Sequence, residues 1–506
     1  MLKNSFVVTF FLIISSFLGF FSQVVNVNSF GATKEMDFYF QLIATPSIIT
    51  GIAPMVFSFV YLPYLAKELS ISNEPNRFIF RILNSIIFFS LIFIIIGLLG
   101  TIVYYRSLKS QEELNSIHFV EISILIWISS GLSIISGFLS AILNYKGKFI
   151  SVAWTSLLIP AFSIFFVILL NRYIGVLCLS LSAFFAICIQ FLVFINKLFP
   201  TENDRYFTFK EMSFDKSLIK KIFFVFISLL PFTIIAPISY YLASSLSIGS
   251  VSYIGFSQSF SGFISVAAGM GISIVSFPNL VNELTNGNIK EAKRNMEFAL
   301  KFILIISMLV VVGFLSLKIP LLSLLYCKAG ASKLNIVQLS KIIPLYLISS
   351  VFIAGLNQVR TLYYAEGKYK QLAILSVFTL IIFSILSWFF RDLLGFLGIG
   401  IANLISMLLF FILSIYYLED RDKNTIFSFK FFLFFIKIIT LLSVSGFITY
   451  QLNHIISYWI VPILAIFVSG FIYLIVTFLF ANKVIKVEEL IMVEKTICKL
   501  IFKNRQ

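Results

Sequence analysis

Apolar runs of about 20 residues recur along this chain from one end to the other, and runs of that length have few places to go. A helix needs about 20 residues to cross the hydrocarbon core of a bilayer. Lipid offers no partner for an exposed backbone amide, so such a run must close its hydrogen bonds within itself, as a helix does. Fourteen runs qualify, near 5–27, 38–60, 82–104, 118–142, 152–170, 174–196, 222–243, 251–277, 300–325, 338–359, 371–390, 394–418, 431–451 and 456–481. Charged residues make up only 12% of the chain against 59% hydrophobic, and mean hydropathy is +1.02. Soluble domains carry about 25% charged residues. The longest polar stretch, from about Lys197 to Lys221, falls short of the ~50 residues a domain needs. The expected fold class is therefore an all-α integral membrane protein. The first run follows Lys3 but is too long for a signal peptide and has no small-x-small cleavage site after it, so it reads as a retained helix. The 61 Phe accompany enrichment in Ile, Asn and Lys and read as base-composition bias rather than a ligand cage.

Lys and Arg orient the spans, because they accumulate on the cytoplasmic side. With the N-terminus inside, 28 of the 38 basic residues fall on inner segments and 7 on outer ones. An even number of spans then puts both termini in the cytoplasm. The net charge of +16 is thus concentrated against an anionic leaflet and gives no reason to expect nucleic acid. Residues 482–506 place apolar side chains at helical spacing among lysines, which predicts an amphipathic helix on the inner membrane face.

The chain also reads as two copies. VYLPYLAKEL (60–69) and VSFPNLVNEL (275–284) share Pro-x-Leu-x-x-Glu-Leu, with Pro63, Leu65, Glu68 and Leu69 matching Pro278, Leu280, Glu283 and Leu284. LNYKGKFISVAW (143–154) similarly matches YYAEGKYKQLAI (363–374). Self-similarity at a fixed offset marks an internal repeat, and repeats in a polytopic protein point to a transporter with its site between the halves. The expected organisation is an N-lobe at 1–200 with six spans, a cytoplasmic linker at 201–221, a C-lobe at 222–420 with six more, two further spans at 430–481 and the basic tail.

The segment FLGFFSQVVNVNSFGATKEMDFYFQLIATPSII (17–49) resembles the opening of the lipid II flippases of the MurJ/MviN type, in the multidrug/oligosaccharidyl-lipid/polysaccharide exporter superfamily. The shared frame is Leu18-Gly19-Phe20, Phe30-Gly31-Ala32, Asp37, an aromatic pair and Pro46, and segments at 142–149, 247–260, 276–288 and 362–370 follow in the family's order. The resemblance implies a flippase that moves a polyprenyl-diphosphate-linked sugar across the inner membrane of a bacterium by alternating access, for cell-wall synthesis. Its partners would be that lipid-linked sugar and membrane lipids, with no cofactor and no nucleic acid, and the chain would act as a monomer. It departs from the family where cavity arginines are expected. Those positions fall on Ser16 and Ser22 in the first span, near Thr50 in the second, and on Ser259 in the eighth. The family favours a peptidoglycan precursor, while these small polar residues favour the alternative of a surface-polysaccharide repeat unit such as an O-antigen.

Candidate cavity residues follow from polarity inside spans, which is costly unless it faces protein or water. Ser15, Ser22 and Asn26 share one helical face of the first span, with Ser16 and Gln23 beside them; lining a cavity and packing between helices are both open for this stripe. Asp37 starts the second span, and Gln258 and Ser259 lie in the eighth. Lys341 and Arg360 are the cations of the tenth span, about 28 Å apart along a helix rising 1.5 Å per residue. Lys341 is the preferred phosphate contact, with Arg81 and Arg360 at the inner mouth. An ion-coupled drug antiporter normally needs a carboxylate near the bilayer midplane, and none is placed there. A membrane polymerase or ligase would need catalytic groups at the outer face. The chain has two His, four Cys without C-x-x-C spacing, and neither a metal-ligand cluster nor a phosphate-cradling loop, so no enzyme is expected.

Overall fold

The computed structural model describes residues 2–61, 75–107, 118–199, 216–265, 280, 283, 286–326, 336–418, 429–459 and 462–483. Among them every regular element is helical. In chain order the helices are α1 (Leu2–Phe30), α2 (Lys34–Val56), α3 (Pro75–Ser107), α4 (Phe119–Tyr145), α5 (Phe149–Thr155), α6 (Leu158–Ile174), α7 (Leu177–Leu198) and α8 (Lys216–Ser244). There follow α9 (Ser250–Ile264), α10 (Ile289–Ser316), α11 (Lys318–Leu325), α12 (Ile336–Ala365), α13 (Tyr369–Leu394), α14 (Phe396–Leu418), α15 (Phe429–Trp459) and α16 (Pro462–Lys483). Among the described residues eleven spans are long and apolar enough to cross a membrane. Helices α1, α9 and α16 occupy the three other expected positions. The first copy of the Pro-x-Leu motif (Pro63 to Leu69), Pro278, the linker up to residue 215, the tail beyond Lys483 and the side chain of Arg81 lie outside the described residues.

The second repeated motif is a helix stop. In each copy the glycine has a positive φ, 73° at Gly147 and 71° at Gly367, which an L side chain rarely tolerates. The amide of Lys148 donates to the Leu143 carbonyl (2.8 Å) and that of Gly147 to Asn144 (3.1 Å); Lys368 and Gly367 do the same to Tyr363 and Tyr364, at 2.9 and 3.2 Å. This is the Schellman arrangement, satisfying the last carbonyls of α4 and of α12. The lysines then diverge. Lys148 donates from Nζ to the Lys197 carbonyl, capping the end of α7, whereas Lys368 pairs with Glu366 at 2.9 Å.

The chain forms two compact units. Residues 1–259, 328–334 and 369–402 form one, and 260–327, 335–368 and 403–506 the other. The cut follows from packing: the start of α9 is held by α2, and the Ser376 hydroxyl of α13 bonds the Ser228 carbonyl of α8 at 3.0 Å.

Within the first unit α2 is the central strut. Pro46 and Pro54 lie inside it, each removing a backbone donor, and it passes into a π-helical turn at Phe57–Tyr61. Small residues bring neighbours close, as expected where lipid provides no hydrophobic drive between helices. Gly51 meets Thr233 of α8, and Gly137 of α4 meets the Pro54 ring; a Cβ added at these glycines would lie 3.0 and 3.1 Å from its neighbour.

In the second unit α12 is the buried helix. Asn403 Nδ2 of α14 donates to Ser349 Oγ (3.1 Å), and the Tyr363 hydroxyl donates to the Ser414 carbonyl (2.7 Å). The last two helices dock through α10. Tyr473 of α16 lies on Gly313 and donates to the Leu309 carbonyl at 3.0 Å, while Gly446 of α15 sits against Ser316 and Val312.

Candidate functional site

Helices α2 and α9 begin at the same end of the bundle, and their N-termini meet. Helix α2 is capped by its own Thr33, whose hydroxyl accepts from Met36 N. Helix α9 cannot cap itself this way, because the residue before it is Gly249, which has no side chain. Asp37, one turn into α2, supplies the missing cap. Its carboxylate accepts from Gly249 N (2.6 Å), from Ser252 N (2.7 Å) and from the Ser252 hydroxyl. These amides are the cap and third-residue donors that a capping box satisfies within one helix, provided here across 215 residues of sequence. The charge also lies at the positive end of the α9 dipole. Asp37 is 8% exposed, so these bonds face little competition from water.

Glycine is needed at position 249 for a second reason. Its φ is +90°, and an added Cβ would lie 2.9 Å from the Ala32 carbonyl oxygen and 3.1 Å from Ala32 Cβ. The turn between α1 and α2 thus sits against the turn between α8 and α9. Behind it, Phe40 lies edge-on to Phe256 at 5.5 Å between centroids and against Tyr240 at 5.7 Å, and the Tyr240 hydroxyl donates to Gln258 Oε1 at 2.8 Å. Asp37 and Ser252 are separated by the spacing that relates Pro63 to Pro278. That coincidence of offset was the signal in the sequence that could have paired them.

The polar stripe of α1 finds protein. Ser15 donates to the Ser156 carbonyl (2.9 Å), Ser22 to Ser163 Oγ (2.8 Å), and Ser163 to Asn26 Oδ1 (3.5 Å). Ser22 and Asn26 are buried, and through Ser163 they join α1 to α6. Ser16 and Gln23, about 100° round the helix, are half-buried, as are Thr50 and Ser259. In the second unit Arg360 is 5% exposed and donates to Asn357 Oδ1 at 2.6 Å, while Lys341 is exposed on the same helix. The expected site residues of the first unit thus include Asp37 at the α2–α9 contact, Gln258 held by Tyr240 of α8, the packed pair Ser22 and Asn26, and the half-buried Ser16, Gln23 and Ser259, while Lys341 and Arg360 belong to the second unit.

Packing at Ser22 has a measurable consequence. In a background lacking the native cysteines, Ser22→Cys and Asn26→Cys are expected to stay unlabelled by a membrane-impermeant, polar thiol reagent. Ser22→Ala should cost little, about 0.6 kcal/mol, the average for one interhelical hydrogen bond in a membrane. Rapid labelling at both positions would put that face of α1 in water.

Eleven apolar spans, with two helix starts joined through a buried carboxylate, define a polytopic helical membrane protein, and the family comparison places it among transporters. The model of the lipid II flippase MurJ family matches residues 26–470. The chain belongs to that family, and its members move a lipid-linked precursor of peptidoglycan without chemical change. Curated relatives are probable lipid II flippases: from Buchnera aphidicola subsp. Baizongia pistaciae (27% identical, covering 81% of this chain and 82% of the relative) and from subsp. Acyrthosiphon pisum (25%, covering 91% of each). Among solved structures, a lipid II flippase MurJ in an inward closed conformation superposes with a TM-score of 0.74 at 18% identity, covering 96% of this chain and all of the other. An inward-facing multidrug resistance MATE family transporter of the MOP superfamily gives 0.62 at 14%, covering 79% and 93%. At these identities the structures speak for the fold.

Proposed function

We propose that this chain carries lipid II from the inner to the outer leaflet by alternating access, and that the Asp37–α9 contact is the latch that closes its outer end. Family membership supports the cargo, and the Lys and Arg asymmetry supports the orientation, with both termini cytoplasmic and the start of α2 outside. The observation carrying the mechanism is the cap in trans. A helix N-terminus satisfied by another helix holds the two together, and once they part, water can satisfy the same donors, so two states are available at modest cost. Ser16, Gln23, Ser259, Lys341 and Arg360 are proposed to face the cargo head, the neutral groups toward sugar hydroxyls and the cations toward phosphate. The serines at the family's arginine positions favour a second reading, a surface-polysaccharide repeat unit as cargo.

Cells depleted of their own lipid II flippase are expected to survive when they express this chain. Death with the protein detected in the membrane would exclude lipid II, and surface polysaccharide in a deletion strain would then be measured.

A further inference from the structure

A cavity of about 670 Å³ lies between α2, α3, α4 and α8, immediately behind the latch. Its wall is a fitted one. The Trp127 indole of α4 lies on Gly97 of α3, where an added Cβ would come within 2.2 Å of the ring, and its Nε1 donates to Thr101 Oγ1 at 2.8 Å. Phe38, Leu42 and Ile49 of α2 and Pro237 of α8 line the opposite side. None of the lining residues is ionisable apart from the two tyrosines, and the polar ones, Gln41, Thr45, Thr101 and Ser244, lie toward the end that bears the latch. The mouth is rimmed by Ile96 and Tyr241, 64% and 78% exposed. The most apolar 18 residues of α3, at a hydropathy of 3.0, are only 6% buried, so this stretch faces outward. The opening therefore faces lipid, sideways, at outer-leaflet depth in the proposed orientation.

We infer that this cavity seats the apolar chain of the carried lipid, the polyprenyl segment nearest the diphosphate, as the head leaves toward the outer face. The inference rests on the lipid-flipping function proposed above. The volume and the apolar, aromatic walls with few polar groups suit a ligand site, and the lack of fixed charge suits a chain and excludes a head. Continuity with the latch selects the carried lipid over a bystander. Phe38 adjoins Asp37, and Tyr240 lines the cavity while holding Gln258 and lying on Phe40. A chain entering here inserts between α2 and α8, beside the contact that must part.

The test uses purified full-length protein and a polyprenyl monophosphate bearing a diazirine in its chain and no sugar. Photolabel is expected on peptides spanning 38–49 and 93–101, competed by unlabelled polyprenyl monophosphate and not by phosphatidylglycerol. Gly100 lines the cavity with nothing within 4 Å of an added Cβ, so Gly100→Phe places a ring in the space and should cut labelling roughly tenfold. Gly100→Ala should leave it intact, and Thr45→Trp provides a second filled variant if the first does not purify as a folded protein. Labelling unchanged in the filled variants, or competed equally by phosphatidylglycerol, overturns the inference. Because the probe bears no sugar, labelling does not depend on which sugar the cargo carries. Rescue of flippase-depleted cells without labelling sinks the chain site alone, and labelling without rescue sinks lipid II as cargo.

Discussion

Replacing Asp37 by Asn is expected to open the outer end of the protein. The amide keeps one acceptor oxygen and turns an NH2 toward a backbone N–H of Gly249 or Ser252, so one of the two amides that Asp37 now satisfies faces a donor. A charge at the α9 N-terminus is lost as well. Hydrogen bonds to a charged group contribute about 1.5–3 kcal/mol each, and breaking a buried charged contact by removing one partner costs about 3–5 kcal/mol. A loss near 3 kcal/mol shifts the closed–open balance roughly 100-fold. Ser250 reports it, being 1% exposed beside the latch. Ser250→Cys in a cysteine-free background should resist an impermeant thiol reagent added from outside, and become reactive when Asp37→Asn is combined with it. Rescue of flippase-depleted cells should fall in parallel. Equal protection in the presence and absence of the carboxylate would remove Asp37 as the latch. Asp37→Glu should lie between, since the charge survives and its reach changes by one methylene.

Substituting Gly249 by Ala should be far more damaging than substituting Gly147, although both glycines have positive φ. At Gly147 an added Cβ meets nothing within 4 Å, so Gly147→Ala costs only the left-handed conformation, about 1–2 kcal/mol. At Gly249 the same strain is joined by a Cβ placed 2.9 Å from the Ala32 carbonyl oxygen, a backbone atom that cannot swing aside. The two turns must separate or α9 must start elsewhere. Gly249→Ala is therefore expected to label at Ser250→Cys much as Asp37→Asn does, with a loss of closure of about 3 kcal/mol once a further 1–3 kcal/mol of overpacking is added. Gly147→Ala should stay closed and lower thermal stability slightly. A closed, rescuing Gly249→Ala protein would show that the turns need not touch.

Much of this protein is a local property of its sequence. The eleven spans among the described residues follow from run length. The Schellman stops at Gly147 and Gly367 follow from a repeated Gly-Lys, and Asp37 is identifiable as an acidic residue at a helix start. The faces of the helices are another matter. In water a buried face is the apolar one, but in lipid a face toward bilayer and a face toward protein are equally apolar. The most apolar 18 residues of α3 have a hydropathy of 3.0 and are 6% buried, whereas those of α4 have 2.0 and are 67% buried. Hydropathy therefore could not say which helix forms the interior, nor that Ser22 and Asn26 meet Ser163 of α6. The lateral cavity likewise exists because Trp127 finds Gly97 across two helices, a fit that neither segment encodes. The partner of Asp37 lies between these cases. Its need for donors was written locally and its offset from Ser252 was written in the repeat. Only the fold brings a glycine-capped helix within 2.7 Å of that carboxylate, because a helix end lacking its own cap accepts any acceptor that packing delivers.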